Sequence, residues 1–331
     1  MNNNTDNSVD VSIVIVCMNN LKNLYPCLES IRNSTKKVKY ETFVVAYLFS
    51  EENLKKVKTD FPWVTFIVSD EIRGFSENNN LALKQAKGRY CFVLNDDTEI
   101  KMPVIDSLFE TIESLPQEVA AISPRSVFGD GMQQSCGRPK HTIWTYILGS
   151  LKIWNEQMTP SPYVNQQGVF QTYDLWGAFF LIKTDVFRQM GWFDERYFFS
   201  PEDIALSRKL NRAGYHCYVD SKVTIIHYEG MTGKGTSPLQ LATKPASFKG
   251  NIIYYSDESS WRYIFVSLLF FLLELFSFVF HLLKSISGSA KERNRILCRC
   301  DINCMSICFS DLTPKQIFLK YAKPYLKKNY L

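Results

Sequence analysis

Two adjacent acidic side chains, Asp96 and Asp97, are the residues of this sequence with the clearest capacity for chemistry. They follow Asn95 directly after the apolar run Tyr90–Leu94, where a buried strand would end. Adjacent carboxylates suit a hard divalent cation, which takes oxygen ligands and commonly shares them with a diphosphate. The alternative is an acidic turn in which one aspartate caps the next helix.

A second polar segment surrounds Gly74. It contains three consecutive asparagines, Asn78–Asn80, at the start of an expected helix for which Ser76 is the predicted N-cap. A glycine turn and a cap explain Gly74 and Ser76. Asparagine, however, is a poor residue for a helix interior because its amide competes for backbone groups. The three asparagines are therefore predicted to contact a ligand or the acidic loop.

The elements that must position these residues alternate between strands and helices. Short apolar runs, rich in β-branched residues, predict strands, and apolar residues at helical spacing predict helices between them. Strands of this kind indicate a parallel sheet covered on both faces, whose ligands bind beyond the carboxyl ends of the strands. The predicted strands are 11–16, 42–47, 65–68, 90–94, 178–182 and 223–226, and the predicted helices are 20–33, 51–59, 76–86 and 202–212.

Composition and charge limit the class of protein. The chain has 331 residues and is 46% hydrophobic, which allows one large domain and an appendage. No secretory signal is expected at its start, and nine scattered cysteines in a chain of this size indicate a reducing compartment. The group Cys298–Cys308 lacks the spacing of a zinc finger and is expected to pack as apolar side chains. After Leu283 the chain carries ten basic and three acidic residues, whereas the part before it has a net charge of −2.

The motifs together resemble glycosyltransferase family 2, in the GT-A superfamily, and specifically its rhamnosyltransferase-like bacterial branch. The resemblance extends from about Val11 to Gly233 and depends on the order and spacing of short motifs, none of which is specific alone. These motifs are Asn19, Gly74-Phe75 with Asn79-Asn80, Asn95-Asp96-Asp97-Thr98, Trp176-Gly177-Ala178, Gly191-Trp192-Phe193-Asp194-Glu195, Glu202-Asp203, Arg212-Ala213-Gly214-Tyr215 and Ile226-His227.

The resemblance implies a Rossmann-like α/β domain over residues 1–250, with a mostly parallel GT-A sheet and helices on both faces. It implies inverting transfer of a sugar from a nucleotide-sugar donor to a glycan or lipid-linked glycan acceptor, with manganese or magnesium, in the synthesis of a cell-surface polysaccharide such as an O-antigen. By position, Asp97 and His227 fall on the family's metal ligands. Glu202 and Asp203 fall on the acidic pair that supplies the catalytic base, and we favour Asp203. The donor-binding positions carried over are Asn19, Gly74, Phe75, Asn79, Asn80, Asn95, Asp96, Trp176 and Gly177.

Physical chemistry supports these roles independently. Direct displacement at an anomeric carbon needs a base for the acceptor hydroxyl and neutralisation of charge on the departing diphosphate. Two alternatives stay open. A catalytically inactive scaffold is suggested by Ala46 and Ala205, at positions where the family frequently has polar or acidic residues. A sugar nucleotidyltransferase would need a glycine-rich phosphate loop after the first strand, and Cys17–Leu21 contains no glycine.

The C-terminal region, residues 251–331, contains the 20-residue run Ile264–Leu283, about the length of one bilayer crossing. A crossing would carry the basic tail out of the cytoplasm and place Glu274 and His281 at membrane depth. We therefore expect a helical, basic region that lies on the cytoplasmic face of the inner (plasma) membrane, peripheral or monotopic, and binds anionic headgroups rather than nucleic acid. The alternative is a core helix packed on the catalytic domain.

Overall fold

The computed structural model describes residues 8–134, 137–151, 163, 165–228, 239–286 and 291–324. Gly233, at the end of the resemblance, and the basic residues Lys327 and Lys328 of the tail lie outside these ranges. The strands are β1 (Val11–Cys17), β2 (Tyr40–Tyr47), β3 (Thr65–Ser69), β4 (Tyr90–Asn95), β5 (Thr98–Glu99), β6 (Val119–Val127), β7 (Val169–Thr172), β8 (Phe179–Lys183) and β9 (His216–His227). The helices are α1 (Leu21–Ser34), α2 (Glu51–Asp60), α3 (Phe75–Leu83), α4 (Val104–Ser114), α5 (Ile143–Ser150), α6 (Thr184–Gln189), α7 (Glu202–Arg212), α8 (Gln240–Ser256), α9 (Ser260–Ile286), α10 (Lys291–Ile307) and α11 (Pro314–Ala322).

The strands form one sheet in the order β3-β2-β1-β4-β8-β6-β9-β5, with β7 paired to β9. β1 pairs in parallel with β2 and β4, and β2 pairs in parallel with β3, so the first four strands are arranged as expected. β8 runs antiparallel between β4 and β6, and β9 lies parallel to β6. The predicted α/β class is confirmed, and the second half of the sheet adds the antiparallel pairs.

Helices cover both faces of the sheet because side chains alternate along each strand. On β1, Ile13 and Ile15 join one buried cluster, and Val14 between them joins the cluster on the opposite face. The first cluster includes residues of α1, α2 and α4, and the second includes residues of α3, α6 and α7. The carboxyl ends of β1 and β4 are thereby held side by side at one edge of a rigid layer.

The start of α3 differs from the expectation. The helix begins at Phe75, and Ser76 lies inside its first turn with a fully buried hydroxyl, so the prediction of Ser76 as N-cap is wrong. The backbone N–H of Gly74 donates to the carboxylate of Glu77 over 3.0 Å. A Cβ at position 74 would overlap the backbone carbonyl of Phe198, so glycine is required by this close approach.

The C-terminal helices pack on one another and against the sheet domain. Their buried apolar residues form a third core, which also includes Leu48 after β2, Ile72 after β3, and Phe198. Cys304 and Cys308 are buried in this core, and Cys298 and Cys300 are buried as well. The predicted domain boundary at residue 250 falls inside α8, so the helical region begins with that helix.

Candidate active site

Asp97 and His227 are brought together by the pairing of two strands. β5 runs antiparallel to the end of β9, with Thr98 opposite His227. The Nε2 atom of His227 lies 3.4 Å from Oδ1 of Asp97, and both side chains are largely buried. The backbone N–H of Tyr228 donates to the carbonyl of Asp97 over 2.9 Å and holds the acidic loop in place.

This pair fits a divalent cation. Two ligand atoms about 2.1 Å from one ion lie roughly 3.0–3.4 Å apart, depending on the coordination geometry. Nδ1 of His227 is buried and makes no hydrogen bond within the described part of the chain, so Nε2 is the ring nitrogen that faces the carboxylate. The described residues contain no group of three or more His, Cys, Asp or Glu side chains placed to hold a metal. A cation here would therefore take its remaining ligands from water or a substrate.

Asp96 occupies a less polar position than Asp97. Burial raises the pKa of Asp96 to about 6, and the adjacent charge of Asp97 acts in the same direction. Burial also raises the pKa of the Cys17 thiol at the end of β1, and the charge of Asp96 contributes to that shift. Asp96 therefore lies close to Cys17 at the end of β1.

Backbone contacts connect the acidic loop to the second predicted acidic pair. The N–H of Asn95 donates to the carbonyl of Ala178 over 2.8 Å. Next to it, the N–H of Gly177 donates to Oδ2 of Asp203 over 3.2 Å. The segment Trp176–Ala178 thus contacts Asn95 on one side and the start of α7 on the other.

The two members of the acidic pair have different surroundings. Asp203 accepts hydrogen bonds from the Ile204 N–H at 2.7 Å and, in an ion pair, from the Arg138 guanidinium at 2.6 Å, besides that of Gly177. Glu202 is buried, and its Oε2 atom has no hydrogen-bond partner in the described chain. Burial, reinforced by the charge of Asp203, raises the pKa of Glu202 well above its usual range. The structure therefore favours a neutral Glu202 beside an Asp203 that is paired with Arg138.

Arg138 was not anticipated from the sequence. Its guanidinium lies over the ring of Trp176, 4.4 Å from the ring centroid, and donates to the carbonyl of Leu175 as well as to Asp203. The residue is 8% exposed. It precedes α5 in an irregular segment that contains no apolar periodicity, so no sequence signal pointed to it.

Several predicted donor contacts are occupied by internal partners. Asn80 is 2% exposed; its amide donates to the Phe193 carbonyl and to Glu195, both at 2.9 Å, and accepts from the Phe193 N–H at 3.2 Å. Asn79 is buried and donates to the Phe75 carbonyl one turn earlier. The hydrogen bonds of these two amides are therefore made within the protein itself.

The other predicted donor positions also have clear local roles. Asn19 has a positive φ of 50°, and its side-chain Oδ1 accepts from the Ser50 N–H and from the Asn53 side-chain amide at the start of α2. Phe75 packs edge-on against Phe193 with ring centroids 5.6 Å apart. Together with Gly74 they shape the edge of the site through packing and backbone approach.

A sequence profile of glycosyl transferase family 2 matches residues 12–191, more than half of the chain. The chain belongs to glycosyl transferase family 2. This confirms the family predicted from the motifs.

Two curated relatives are similar to parts of this family 2 chain. The O-antigen biosynthesis protein RfbC of Myxococcus xanthus is 25% identical over 214 residues, which cover 62% of this chain and 15% of the relative. An N-acetylglucosaminyl-diphospho-decaprenol L-rhamnosyltransferase of Mycobacterium tuberculosis is 36% identical over 89 residues, which cover 26% of this chain and 28% of the relative. The chain thus matches less than a third of the length of either relative.

Solved structures share the fold of this family 2 chain. GalNAc-T7 with UDP, GalNAc and Mn²⁺ superposes with a TM-score of 0.58 at 15% identity, over 93% of this chain and 57% of the other. The mannosyltransferase PcManGT from Pyrobaculum calidifontis, solved with GDP-Man and Mn²⁺, gives a TM-score of 0.54 at 12% identity, over 90% and 87%. At these identities the similarity shows the fold alone, and it confirms the GT-A-type architecture.

Proposed function

We propose that this protein is an inverting, metal-dependent glycosyltransferase that moves a sugar from a nucleotide-sugar donor to a glycan or lipid-linked glycan acceptor. The observation that carries the proposal is the Asp97–His227 pair, 3.4 Å apart, whose loop is connected to the Asp203 carboxylate by the backbone contacts of Gly177 and Ala178. Membership of glycosyl transferase family 2 supports sugar transfer over the alternative of sugar nucleotidyl transfer.

Asp97 and His227 are the residues that would hold a divalent cation, either manganese or magnesium. Bound there, the cation would neutralise the charge that develops on the departing nucleoside diphosphate. The Mn²⁺ named with both structural neighbours supports a divalent metal in this position. Asn95 and Asp96 precede the metal ligand on the same loop and remain our proposed donor contacts, together with Trp176 and Gly177.

Asp203 is the proposed general base for the acceptor hydroxyl. An ionised carboxylate offers about four acceptor positions, and three are used by the N–H groups of Arg138, Gly177 and Ile204. One position is left for an incoming hydroxyl, and the guanidinium stabilises the charged form that a base requires.

The different surroundings of the two acidic side chains support inversion. A single displacement needs only a base, whereas retention through a double displacement would require a positioned nucleophile as well. Glu202 is a poor nucleophile because burial favours its neutral form. The pair is therefore better suited to one displacement step.

The relatives support a role in cell-surface polysaccharide synthesis. Their names specify O-antigen biosynthesis and transfer of L-rhamnose to a diphospho-decaprenol-linked sugar. For this chain we infer a lipid-linked or polysaccharide acceptor and a location on the cytoplasmic face of the membrane. The apolar helix α9 and the basic residues after it support that location.

The experiment that tests the proposed function is a donor panel. Purified full-length protein is incubated with UDP-, GDP- and dTDP-sugars and Mn²⁺, and release of the nucleoside diphosphate is measured with and without EDTA. We expect release from at least one donor, abolished by EDTA, with water as the acceptor, and NMR recorded before mutarotation should show the released sugar in the anomeric configuration opposite to that of the donor. Release that persists in EDTA would contradict metal dependence, and a folded protein inactive on every donor would favour the scaffold alternative.

A further inference from the structure

α9 carries its apolar side chains on the outside. Large hydrophobic residues spaced three or four apart form one stripe along the whole helix, and each is at least 38% exposed. We call this surface the outer stripe. Its direction is unusual, because an ordinary surface helix turns its apolar stripe toward the core. The outer stripe consists of Ile264, Phe265, Leu268, Leu272, Leu275, Phe276, Val279, Phe280, Leu282, Leu283 and Ile286.

The polar residues of α9 lie on the opposite, inward side. Ser267, Glu274 and His281 follow one another at intervals of seven, and the first two are buried. Glu274 and His281 meet a cluster of charges from neighbouring helices, in which Lys244 of α8 lies 2.9 Å from Glu274 and 2.6 Å from Asp301 of α10. Nδ1 of His281 lies 2.7 Å from the other oxygen of Asp301. Polar contacts at Glu274 and His281 therefore hold α9 against α8 and α10.

We propose that the outer stripe of α9 docks on a lipid bilayer with the helix axis parallel to the membrane plane. The inference rests on the membrane location given above and specifies the surface and its orientation. A helix of 27 residues is about 40 Å long, and its exposed side between Ile264 and Leu283 is apolar enough to enter the boundary between headgroups and acyl chains.

The ion cluster argues against a crossing. Glu274 lies next to the midpoint of α9, so a crossing would bring this carboxylate to the centre of the bilayer. Its partners, Lys244 and Asp301, belong to α8 and α10, which pack in the third core. In a crossing, these helices would have to separate from the third core to keep their contacts with Glu274. Docking in the membrane plane keeps every one of these pairs intact.

The flanking charges favour a bilayer, rather than a second copy of the chain, as the partner of the outer stripe. Exposed basic residues occur at both ends of the outer stripe, with Arg262 at the start and Lys284 at the end. At the start of α10, three exposed basic residues, Lys291, Arg293 and Arg295, accompany one exposed acid, Glu292. This excess complements anionic headgroups, whereas two copies paired through α9 would bring like charges together.

A depth measurement on the full-length protein tests the orientation. Cysteine is introduced singly at Leu268, Phe276 and Leu283, each at least half exposed, and labelled with a fluorophore. The unmodified protein, whose described native cysteines are all buried, gives the background. Quenching by lipids that carry nitroxides at known acyl positions then reports the depth of each label in vesicles of 70% phosphatidylcholine and 30% phosphatidylglycerol.

The first and last labels are 15 residues apart, or about 22 Å along the axis. We expect all three to lie at the same shallow depth within a few ångströms. A depth that changes progressively from Leu268 to Leu283 would overturn the in-plane docking and leave the membrane location standing. Failure of the unlabelled full-length protein to bind any vesicle, with dimers in solution, would overturn the location as well.

A charge substitution supplies an independent measure. Leu272→Glu places an acid in the middle of the outer stripe and should weaken partition into the same vesicles by roughly ten- to hundredfold. Val68→Glu, on an exposed apolar residue of β3, is the matched control and should partition like the parent. Equal binding by folded Leu272→Glu and parent proteins would show that the outer stripe does not enter the membrane.

Discussion

Replacement of Asn80 by alanine distinguishes a ligand-contacting asparagine from one that stabilises the fold. The side chain bonds both backbone groups of Phe193, which is 1% exposed, and also Glu195. Removal leaves a buried N–H and a buried carbonyl unpaired, at about 1–3 kcal/mol each. Loss of the hydrogen bond to Glu195 costs less free energy, because the Glu195 carboxylate keeps its ion pair with Lys84 at 3.1 Å and is exposed to solvent. We therefore expect a loss of roughly 2–6 kcal/mol in the free energy of unfolding, a large share of the stability of a typical domain.

The assay is urea unfolding followed by two probes, with donor affinity measured by calorimetry under native conditions. Asn79→Ala is the matched control, since Asn79 is equally buried but makes one hydrogen bond within its own helix. It should cost about 1 kcal/mol. Folded Asn80→Ala should bind the donor as the parent does. Unchanged stability together with weaker donor binding would refute this reasoning and support donor contact by Asn80, as predicted from the sequence.

Three further predictions concern the site and the C-terminal region. Asp203→Asn should lower turnover by roughly two to four orders of magnitude with donor affinity retained. Glu202→Gln should have a small effect, because burial already favours the neutral form of Glu202. The reverse ranking in turnover assays would exchange the roles of the two residues. Arg138→Lys should retain more turnover than Arg138→Met, since lysine keeps the charge but loses the planar stack on Trp176. Equal turnover in both variants and the parent would remove Arg138 from the site. A chain truncated after residue 255 should melt at a lower temperature than the full chain, because it loses the partners of the third core; an unchanged melting temperature would show that the sheet domain is independent of that core.

The sheet and the acidic loop were predictable because their signals are local. Buried strands are continuous apolar runs, and the loop at Asp97 follows the end of one such run directly. The meeting of Asp97 with His227 was expected only from the family resemblance. It depends on β5, a strand of two residues that has no periodicity of its own.

The contacts that the sequence did not reveal are those between distant segments. Asn80 bonds a residue 113 positions later, and Arg138 bonds an aspartate 65 positions later. Their partners depend on how the loops return to the sheet, which residue types alone do not determine. The inward polar side of α9 is different, because its seven-residue spacing was present in the sequence from Ser267 to His281. There the polar residues marked the side that faces the protein.

The central claim is that Asp97 and His227 hold the cation on which sugar transfer depends. The most direct test is turnover of the donor selected by the panel, titrated with Mn²⁺, in the parent and in Asp97→Ala. Glu99→Gln, an acid of the same loop that bonds Tyr228, serves as control, and melting temperatures without metal verify folding. We predict that Asp97→Ala loses at least a hundredfold in turnover at every Mn²⁺ concentration, while it melts like the parent and Glu99→Gln stays active. Full turnover by a folded Asp97→Ala protein would contradict the account.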